Sequence, residues 1–142
     1  MIMREILFRG QTRRKGERII NVRGDKCDSN WVYGGIFPQN NGGDFAIIYQ
    51  QTPEIKKYTV YADTVGQYTG LTDKNGVKIF EGDIVTLPGE DNPCEIVWND
   101  TEAKFEFKSF DITADFDNYW AQELEVIANK YDYDDPNCWE EW

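Results

Sequence analysis

Asp73, Asn75 and Gly76 have a spacing that could belong to a calcium-binding loop. An EF-hand loop carries Gly at position 6 and carboxylates at positions 1 and 12. Placing Gly76 at position 6 puts Asp73 and Asn75 at positions 3 and 5. The same alignment puts Leu71 at position 1 and Gly82 at position 12, where neither can supply a carboxylate. We therefore reject calcium binding at this loop.

Other residue types that carry chemistry are sparse. The chain has no histidine, which removes the commonest general base and metal ligand. Cys27, Cys94 and Cys138 are widely spaced and form no CxxC pair, so neither a disulfide framework nor a zinc ribbon is expected. Gly66 and Gly70 lack the following Lys-Ser/Thr of a phosphate-binding loop. No catalytic pair stands out among 26 Asp and Glu residues. We expect a protein that is not an enzyme and uses no metal or cofactor.

The secondary-structure elements that would position these residues are predicted to be short β-strands. Tyr, Phe, Trp, Val, Ile and Thr, the residues that favour strands, are plentiful. Asn75-Gly76 is a strong hairpin dipeptide, because a type I′ turn needs positive φ at both central residues. Gly34-Gly35 inside the predicted strand 31–37 indicates a bulge or a close backbone approach. In 104–110, the alternating pattern predicts that Phe105 and Phe107 share the apolar face.

The spacing of these strands predicts a mostly β fold with a small β-barrel architecture. We expect two barrel-like parts, the C-terminal one SH3-like, and at most one short helix. That helix is placed within 111–124, with Asp115 or Asp117 as its N-cap. The predicted division is an N-terminal β subdomain (1–83), an SH3-like part (84–131) and an acidic, aromatic tail (132–142).

Charge is divided unevenly along the chain. Residues 1–80 carry 12 Lys/Arg and 8 Asp/Glu, a net charge of +4, whereas residues 81–142 carry 3 Lys and 18 Asp/Glu, a net charge of −15. Three explanations stay open: the two halves neutralise one another within a subunit, they meet between subunits, or the basic part contacts phosphate. A head-to-tail contact between subunits can close a ring. The net charge of −11 opposes binding to nucleic acid at long range.

The cellular location of the protein is predicted from the lengths of its apolar segments. No apolar run approaches the roughly 20 residues that a membrane helix needs. The first ten residues, MIMREILFRG, contain charges and no apolar signal core. We expect a cytoplasmic protein that does not contact a membrane.

Four segments resemble the YopX family in order and spacing. They are MREILFRG at the start, WVYGG at residue 31, TVGQYTGLTDKNGVKIFEGDIV at 64–85 and EVIANKY at 125–131. The chain departs from the family pattern at Ala128, where a Gly is usual. The resemblance implies a phage- or prophage-encoded protein in the cytoplasm of the bacterial host, mostly β with an SH3-like part, that self-associates. It brings no established reaction, cofactor or catalytic residue.

The leading functional hypothesis is a non-enzymatic, oligomer-forming interaction module. The tail interleaves aromatic and acidic residues, and Trp often serves as a buried anchor at interfaces. We predict that this tail docks on the basic stretch of a neighbouring subunit, or of a host protein as the alternative partner. The candidate interaction residues are Arg13, Arg14, Lys15, Asp132, Asp134, Asp135, Trp139, Glu140, Glu141 and Trp142.

Two alternatives remain open at the level of sequence. In the first, the small barrel binds nucleic acid by stacking bases on aromatic residues, with Tyr33, Tyr49 and Tyr68 as candidates and core packing as their competing role. In the second, the acidic half acts as a DNA mimic that counters host defence. Mimicry would need regularly spaced carboxylates, and the sequence shows no such regularity.

Overall fold

The computed structural model describes residues 5–12, 31–37, 43–51, 53–90, 92–109 and 113–133. These residues form eleven β-strands, two single-turn α-helices and one 3-10 turn. The prediction of a mostly β fold is thereby confirmed. The chain divides into two compact units, an N-terminal unit of residues 6–67 and a C-terminal unit made of Glu5 and the residues from Tyr68 onward. The sequence-based division at residues 83 and 131 stays a prediction.

The N-terminal unit is an antiparallel sheet with the order β4-β3-β2-β1-β5. Its elements are β1 (Phe8–Gln11), β2 (Trp31–Ile36), β3 (Phe45–Gln50), β4 (Lys56–Tyr61), a 3-10 turn (Ala62–Thr64) and the start of β5 (Gly66–Thr72). Ala46, Ile48 and Val60 are buried on one face of this sheet, where Phe8 and Val32 pack against them. This alternation follows from the period of two along a strand.

The C-terminal unit contains a second antiparallel sheet, of five strands, with the order β10-β9-β8-β7-β11. Its elements are β6 (Lys78–Phe80), β7 (Asp83–Thr86), β8 (Cys94–Asn99), β9 (Lys104–Lys108), β10 (Thr113–Asp115), α1 (Asn118–Ala121), β11 (Glu125–Asn129) and α2 (Lys130–Tyr133). Within the described ranges, no pairing between β10 and β11 closes this sheet into a barrel. The SH3-like assignment stays a prediction.

The core of the C-terminal unit is larger than that of the N-terminal unit. Its buried members are Ile79, Val85, Leu87, Cys94, Ile96, Phe107, Phe116, Ala121 and Leu124. Fully burying one aliphatic side chain of this size contributes about 1.5–3 kcal/mol, so this cluster is the main stabilising feature of the unit. Phe105 packs at its edge, and the predicted shared face of Phe105 and Phe107 is confirmed.

The helix prediction is confirmed in place and capping, although the helix is one turn long. The Asp117 side chain accepts a hydrogen bond from the Trp120 backbone N–H, 3.1 Å away, and is therefore the N-cap. The second helical turn, Lys130–Tyr133, was not predicted. It follows directly on β11.

A turn forms at Asn75-Gly76 as predicted, but it is not of type I′. Gly76 has a φ of +80°, but Asn75 does not have a positive φ. Instead the Gly76 N–H donates to the Asp73 carbonyl (3.0 Å), and the Asp73 N–H donates to the Val77 carbonyl (2.8 Å). The connection is thus a tight turn followed by a left-handed glycine, the next commonest kind of hairpin loop. The hairpin itself forms as β5 and β6.

Candidate functional site

The Asp73 carboxylate lies in the stretch that first suggested a metal site, and it binds backbone amides. Its Oδ1 accepts hydrogen bonds from the N–H groups of Asn75 (2.8 Å) and Val77 (2.9 Å). Its Oδ2 accepts one from the Val126 N–H, at 2.9 Å. Hydrogen bonds to an ionised carboxylate are stronger than neutral ones. Asp73 therefore holds the hairpin turn against the start of β11.

Asp83 has a similar structural role a few residues later. It is buried, and its Oδ2 accepts a hydrogen bond from the Phe80 N–H at 2.7 Å. The neighbouring Gly82 donates to the Ile96 carbonyl (2.8 Å) and accepts from the Lys130 N–H (2.8 Å). The stretch that best characterises the sequence thus organises the C-terminal unit. Across the described ranges, no group of three or more Cys, Asp and Glu side chains could hold a metal ion.

Most of the predicted interaction residues lie outside the described residues. These are Arg13, Arg14, Lys15, Asp134, Asp135, Trp139, Glu140, Glu141 and Trp142. Asp132 belongs to α2, and the structure describes its backbone only. The predicted contact between the tail and the basic stretch therefore stays a prediction.

The three tyrosines considered for base stacking have different environments. Tyr68 is buried and packs on Phe80 with ring centroids 5.5 Å apart, so its ring is used in packing. Tyr33 and Tyr49 lie on one face of the N-terminal sheet, because Gly35 is paired with Tyr49 and is two residues from Tyr33. Core packing is therefore the role of Tyr68 alone among the three.

The face of the N-terminal sheet opposite its core is rich in aromatic side chains. Cross-strand pairing places Phe45 beside Tyr61 and Tyr49 beside Lys57 on this face. Phe45 is 50 % exposed and Phe37 is 38 % exposed. We call the surface formed by Tyr33, Phe37, Phe45, Tyr49, Lys57 and Tyr61 the outer sheet face.

A second aromatic surface lies on the C-terminal unit. The rings of Trp98 and Phe105 meet across β8 and β9 with centroids 4.8 Å apart. Trp120 contacts Phe107 at 5.6 Å and Tyr119 at 5.4 Å. Tyr119 is 70 % exposed, Trp98 41 % and Trp120 36 %. We call Trp98, Phe105, Tyr119 and Trp120 the aromatic ridge.

Acidic groups surround Lys104, which lies on the opposite face of the sheet from Phe105 because neighbouring residues of β9 alternate. The Lys104 Nζ lies 2.7 Å from Asp115 Oδ1 and 2.7 Å from Glu102 Oε2, with Glu106 Oε2 at 3.8 Å. The hydrogen bonds with Asp115 and then Glu102 raise the pKa of Lys104 above its ordinary value. Three carboxylates around one ammonium leave the sheet face opposite the aromatic ridge with an excess of negative charge.

Comparison with known proteins places the chain in a family. The family model described as YopX protein matches residues 23–137, which is most of the chain. The chain belongs to the YopX family. A search of curated proteins found no match. A crystal structure of protein EF1440 from Enterococcus faecalis is similar, with a TM-score of 0.50 and 19 % sequence identity over 92 % of this chain and 96 % of that one. At this identity the similarity supports the fold alone.

Sequence reasoning did not find the aromatic ridge of this YopX protein. The strand of Phe105 was predicted, but the contact of its ring with Trp98 depends on the register of β8 and β9. The signal that could have found it is the short turn between Asn99 and Lys104, which makes these two strands a hairpin. In a hairpin, loop length determines which residues lie opposite one another.

Proposed function

We propose that this YopX protein is a non-enzymatic interaction module that self-associates head to tail. In this proposal the acidic C-terminal unit of one copy contacts the basic N-terminal unit of the next. The observation that carries the proposal is the aromatic ridge. Exposed Trp and Tyr side chains on a rigid sheet and helix are the residues most often found at the centres of protein interfaces.

The charges of the two units support a second copy as the partner. By sequence, residues 6–67 carry nine Lys/Arg and six Asp/Glu, a net charge of +3. The rest of the chain carries six Lys/Arg and twenty Asp/Glu, a net charge of −14. Opposite charge on two surfaces of the same molecule favours a heterologous contact between copies, which closes into a ring when the rotation allows.

A role in binding fits the structural use of the two buried carboxylates in the stretch 64–85. Asp73 and Asp83, the two buried carboxylates of the stretch 64–85, are occupied by backbone amides. Both carboxylates therefore hold backbone segments of the fold in place. The exposed aromatic side chains of the unit and its net charge of −14 would suit binding to a basic surface.

The origin of the protein in a phage or prophage, and its place in the bacterial cytoplasm, are part of this proposal through the resemblance to the family. No helix among the described residues has the length and apolarity needed to cross a membrane. A host protein as the partner, and mimicry of DNA by the acidic unit, remain predictions that the same variants can test.

Sedimentation velocity on ridge variants tests the proposal. Tyr119→Ser removes the most exposed ring of the ridge, whose ring contact is with Trp120, so the fold should be unaffected. We expect it to raise the dissociation constant of the oligomer by about 10-fold or more, the usual effect at an interface anchor. Val77→Ser is the matched control, since Val77 is an exposed apolar residue of the same unit.

The control defines what would contradict the proposal. Val77→Ser removes exposed apolar surface, as Tyr119→Ser does, but it should leave the association unchanged. Equal sedimentation of wild type, Tyr119→Ser and Val77→Ser over the whole concentration range would show that the ridge is not the contact. An equal loss of association in both variants would point to general surface apolarity instead.

A further inference from the structure

β4 is an edge strand of the N-terminal sheet. Within the described ranges it pairs with β3 alone and stands at the end of the strand order. The Ala62 N–H donates to the Asp44 carbonyl at 2.9 Å, and these two positions lie opposite one another in the register of β3 and β4. Successive residues of an antiparallel strand direct their backbone groups to opposite sides. The N–H and C=O groups of residues 56, 58 and 60 therefore point to β3, and those of Lys57 and Thr59 point away from it.

The pairing of β3 with β2 gives the same direction independently. The Phe37 N–H donates to the Ile47 carbonyl at 3.1 Å, so Ile47 directs its backbone groups to β2. Its neighbour Ile48 then directs its own groups to β4, where it is paired with Tyr58. Thr59 follows Tyr58 and is exposed. Its N–H and C=O are therefore directed outward along the edge of the sheet.

The composition of β4 leaves the middle of this edge open to another strand. Natural edge strands often carry lysines that prevent pairing with other chains. In β4 the lysines are confined to the start of the strand, at Lys56 and Lys57. The remaining residues, 58–61, are Tyr, Thr, Val and Tyr, all of which favour strands. A pairing that keeps the lysines of two strands apart is therefore compatible with this edge.

The two ends of β4 carry opposite charges, which makes the strand complementary to a second copy of itself. Lys56 and Lys57 begin the strand, whereas Asp63 lies in the 3-10 turn that follows it. Asp44 lines the same cavity as Asp63, at the acidic end. A copy that runs in the opposite direction brings its basic end to the acidic end of the first. A parallel copy in register would instead place lysine beside lysine, which is unfavourable.

We propose that β4 pairs antiparallel with β4 of a second copy, about a two-fold axis at Thr59. In this register Thr59 lies opposite the partner's Thr59, and the two residues exchange two backbone hydrogen bonds. Lys57 lies opposite the partner's Tyr61, so the lysines of the two copies stay apart. The contact is isologous and closes as a dimer, in which two N-terminal sheets continue into one another. It is separate from the head-to-tail contact through the aromatic ridge and does not rest on it.

Disulfide cross-linking of the full chain tests the proposal. Cys27 and Cys138 are first replaced by serine, and Cys94 is kept because it is buried. In this background Thr59→Cys places two thiols opposite one another, with Cα atoms about 5.5 Å apart, a separation that a disulfide spans. Lys57→Cys is the matched control, since residue 57 is exposed on the same face of β4. Four residues along the strand separate it from its counterpart in the partner, which gives about 14 Å and is beyond the reach of a disulfide.

The yields of cross-linked dimer decide between the proposed register and its alternatives. With oxidised glutathione as the oxidant, Thr59→Cys should give at least about 5-fold more dimer than Lys57→Cys, because position 59 alone lies within disulfide reach. Adding Tyr119→Ser should leave this difference unchanged. Equal yields would indicate random collisions, and a higher yield for Lys57→Cys would indicate another register. Either result, or the absence of a cross-link in both chains, would overturn the proposal, as would a cross-link that disappears with Tyr119→Ser.

Thr59→Pro tests the backbone hydrogen bonds without a cross-link. Proline removes the outward N–H of residue 59, and an edge strand tolerates proline where the N–H does not point to its neighbour. Thr59→Val keeps this N–H and is the control. With Tyr119→Ser also present, sedimentation velocity should give a dimer dissociation constant about 10-fold or more higher for Thr59→Pro than for Thr59→Val, because each dimer loses two hydrogen bonds. Equal constants, with circular dichroism showing a retained fold, would contradict the proposal.

Discussion

Asp73 Oδ2 accepts a hydrogen bond from the Val126 backbone N–H at 2.9 Å, although the two residues are 53 positions apart in the chain. The adjacent Lys74 N–H donates to the Leu124 carbonyl at 3.0 Å. These two bonds connect the β5–β6 turn to the start of β11. The segment 125–129 is thereby attached to a turn that is distant in the sequence.

Replacing Asp73 should destabilise the protein strongly. Asp73→Ala would leave the amides of Asn75, Val77 and Val126 without their acceptor, and the loss of such charge-assisted hydrogen bonds should lower the free energy of unfolding by about 3 kcal/mol or more. Urea unfolding followed by tryptophan fluorescence measures this change. Asp100→Ala, at an exposed turn position, should change it by less than about 0.5 kcal/mol. Similar values for the two variants would contradict the role assigned to Asp73.

Replacing Gly34 and Gly35 of β2 with alanine should lower the free energy of unfolding by different amounts. A Cβ at Gly34 would collide with the Tyr49 carbonyl, which is backbone, whereas a Cβ at Gly35 would collide with the Tyr49 ring. A ring can rotate away, but a paired strand cannot shift without loss of its hydrogen bonds. We expect Gly34→Ala to lower the free energy of unfolding more than Gly35→Ala, with costs of about 1–3 kcal/mol. Thermal melts would show the order, and a reversed order would contradict it.

The Lys104 ion pairs should contribute to stability in a pH-dependent way. Asp115 and Glu102 raise the pKa of Lys104 in the folded state. Its contribution is therefore fully present below the unfolded-state value of about 10.4 and is lost as pH rises through the higher folded-state value. The difference in unfolding free energy between wild type and Lys104→Gln should be constant up to about pH 10 and narrow above it. A difference that widens with pH would contradict this assignment.

Local patterns predicted those features that depend on neighbouring residues. The cap at Asp117, the shared face of Phe105 and Phe107, and the close backbone approach at Gly34 and Gly35 each follow from residue type and short spacing. The Asn75-Gly76 pair also predicted a hairpin in the right place. Its type differed because Asp73 supplies side-chain acceptors that stabilise a turn in which only Gly76 has positive φ.

Contacts between segments that are far apart in the chain could not be predicted from the sequence. The bond between Asp73 and Val126 depends on tertiary structure, since no local rule connects residues so far apart. The aromatic ridge depends on the register that pairs Trp98 with Phe105, and the outer sheet face depends on the pairing of Tyr49 with Lys57. Sequence analysis named Tyr33, Tyr49 and Tyr68 together as stacking candidates and did not separate Tyr68, which is buried, from the other two.

Light scattering of the purified wild-type protein at about 50 mM and 500 mM salt tests the proposed head-to-tail association most directly. These two concentrations change the screening length severalfold, so contacts between opposite charges should weaken at the higher one. The proposal predicts a discrete oligomer at low salt whose average mass falls at high salt. A monomeric mass at both salt concentrations, up to the highest protein concentration measured, would contradict self-association as the function.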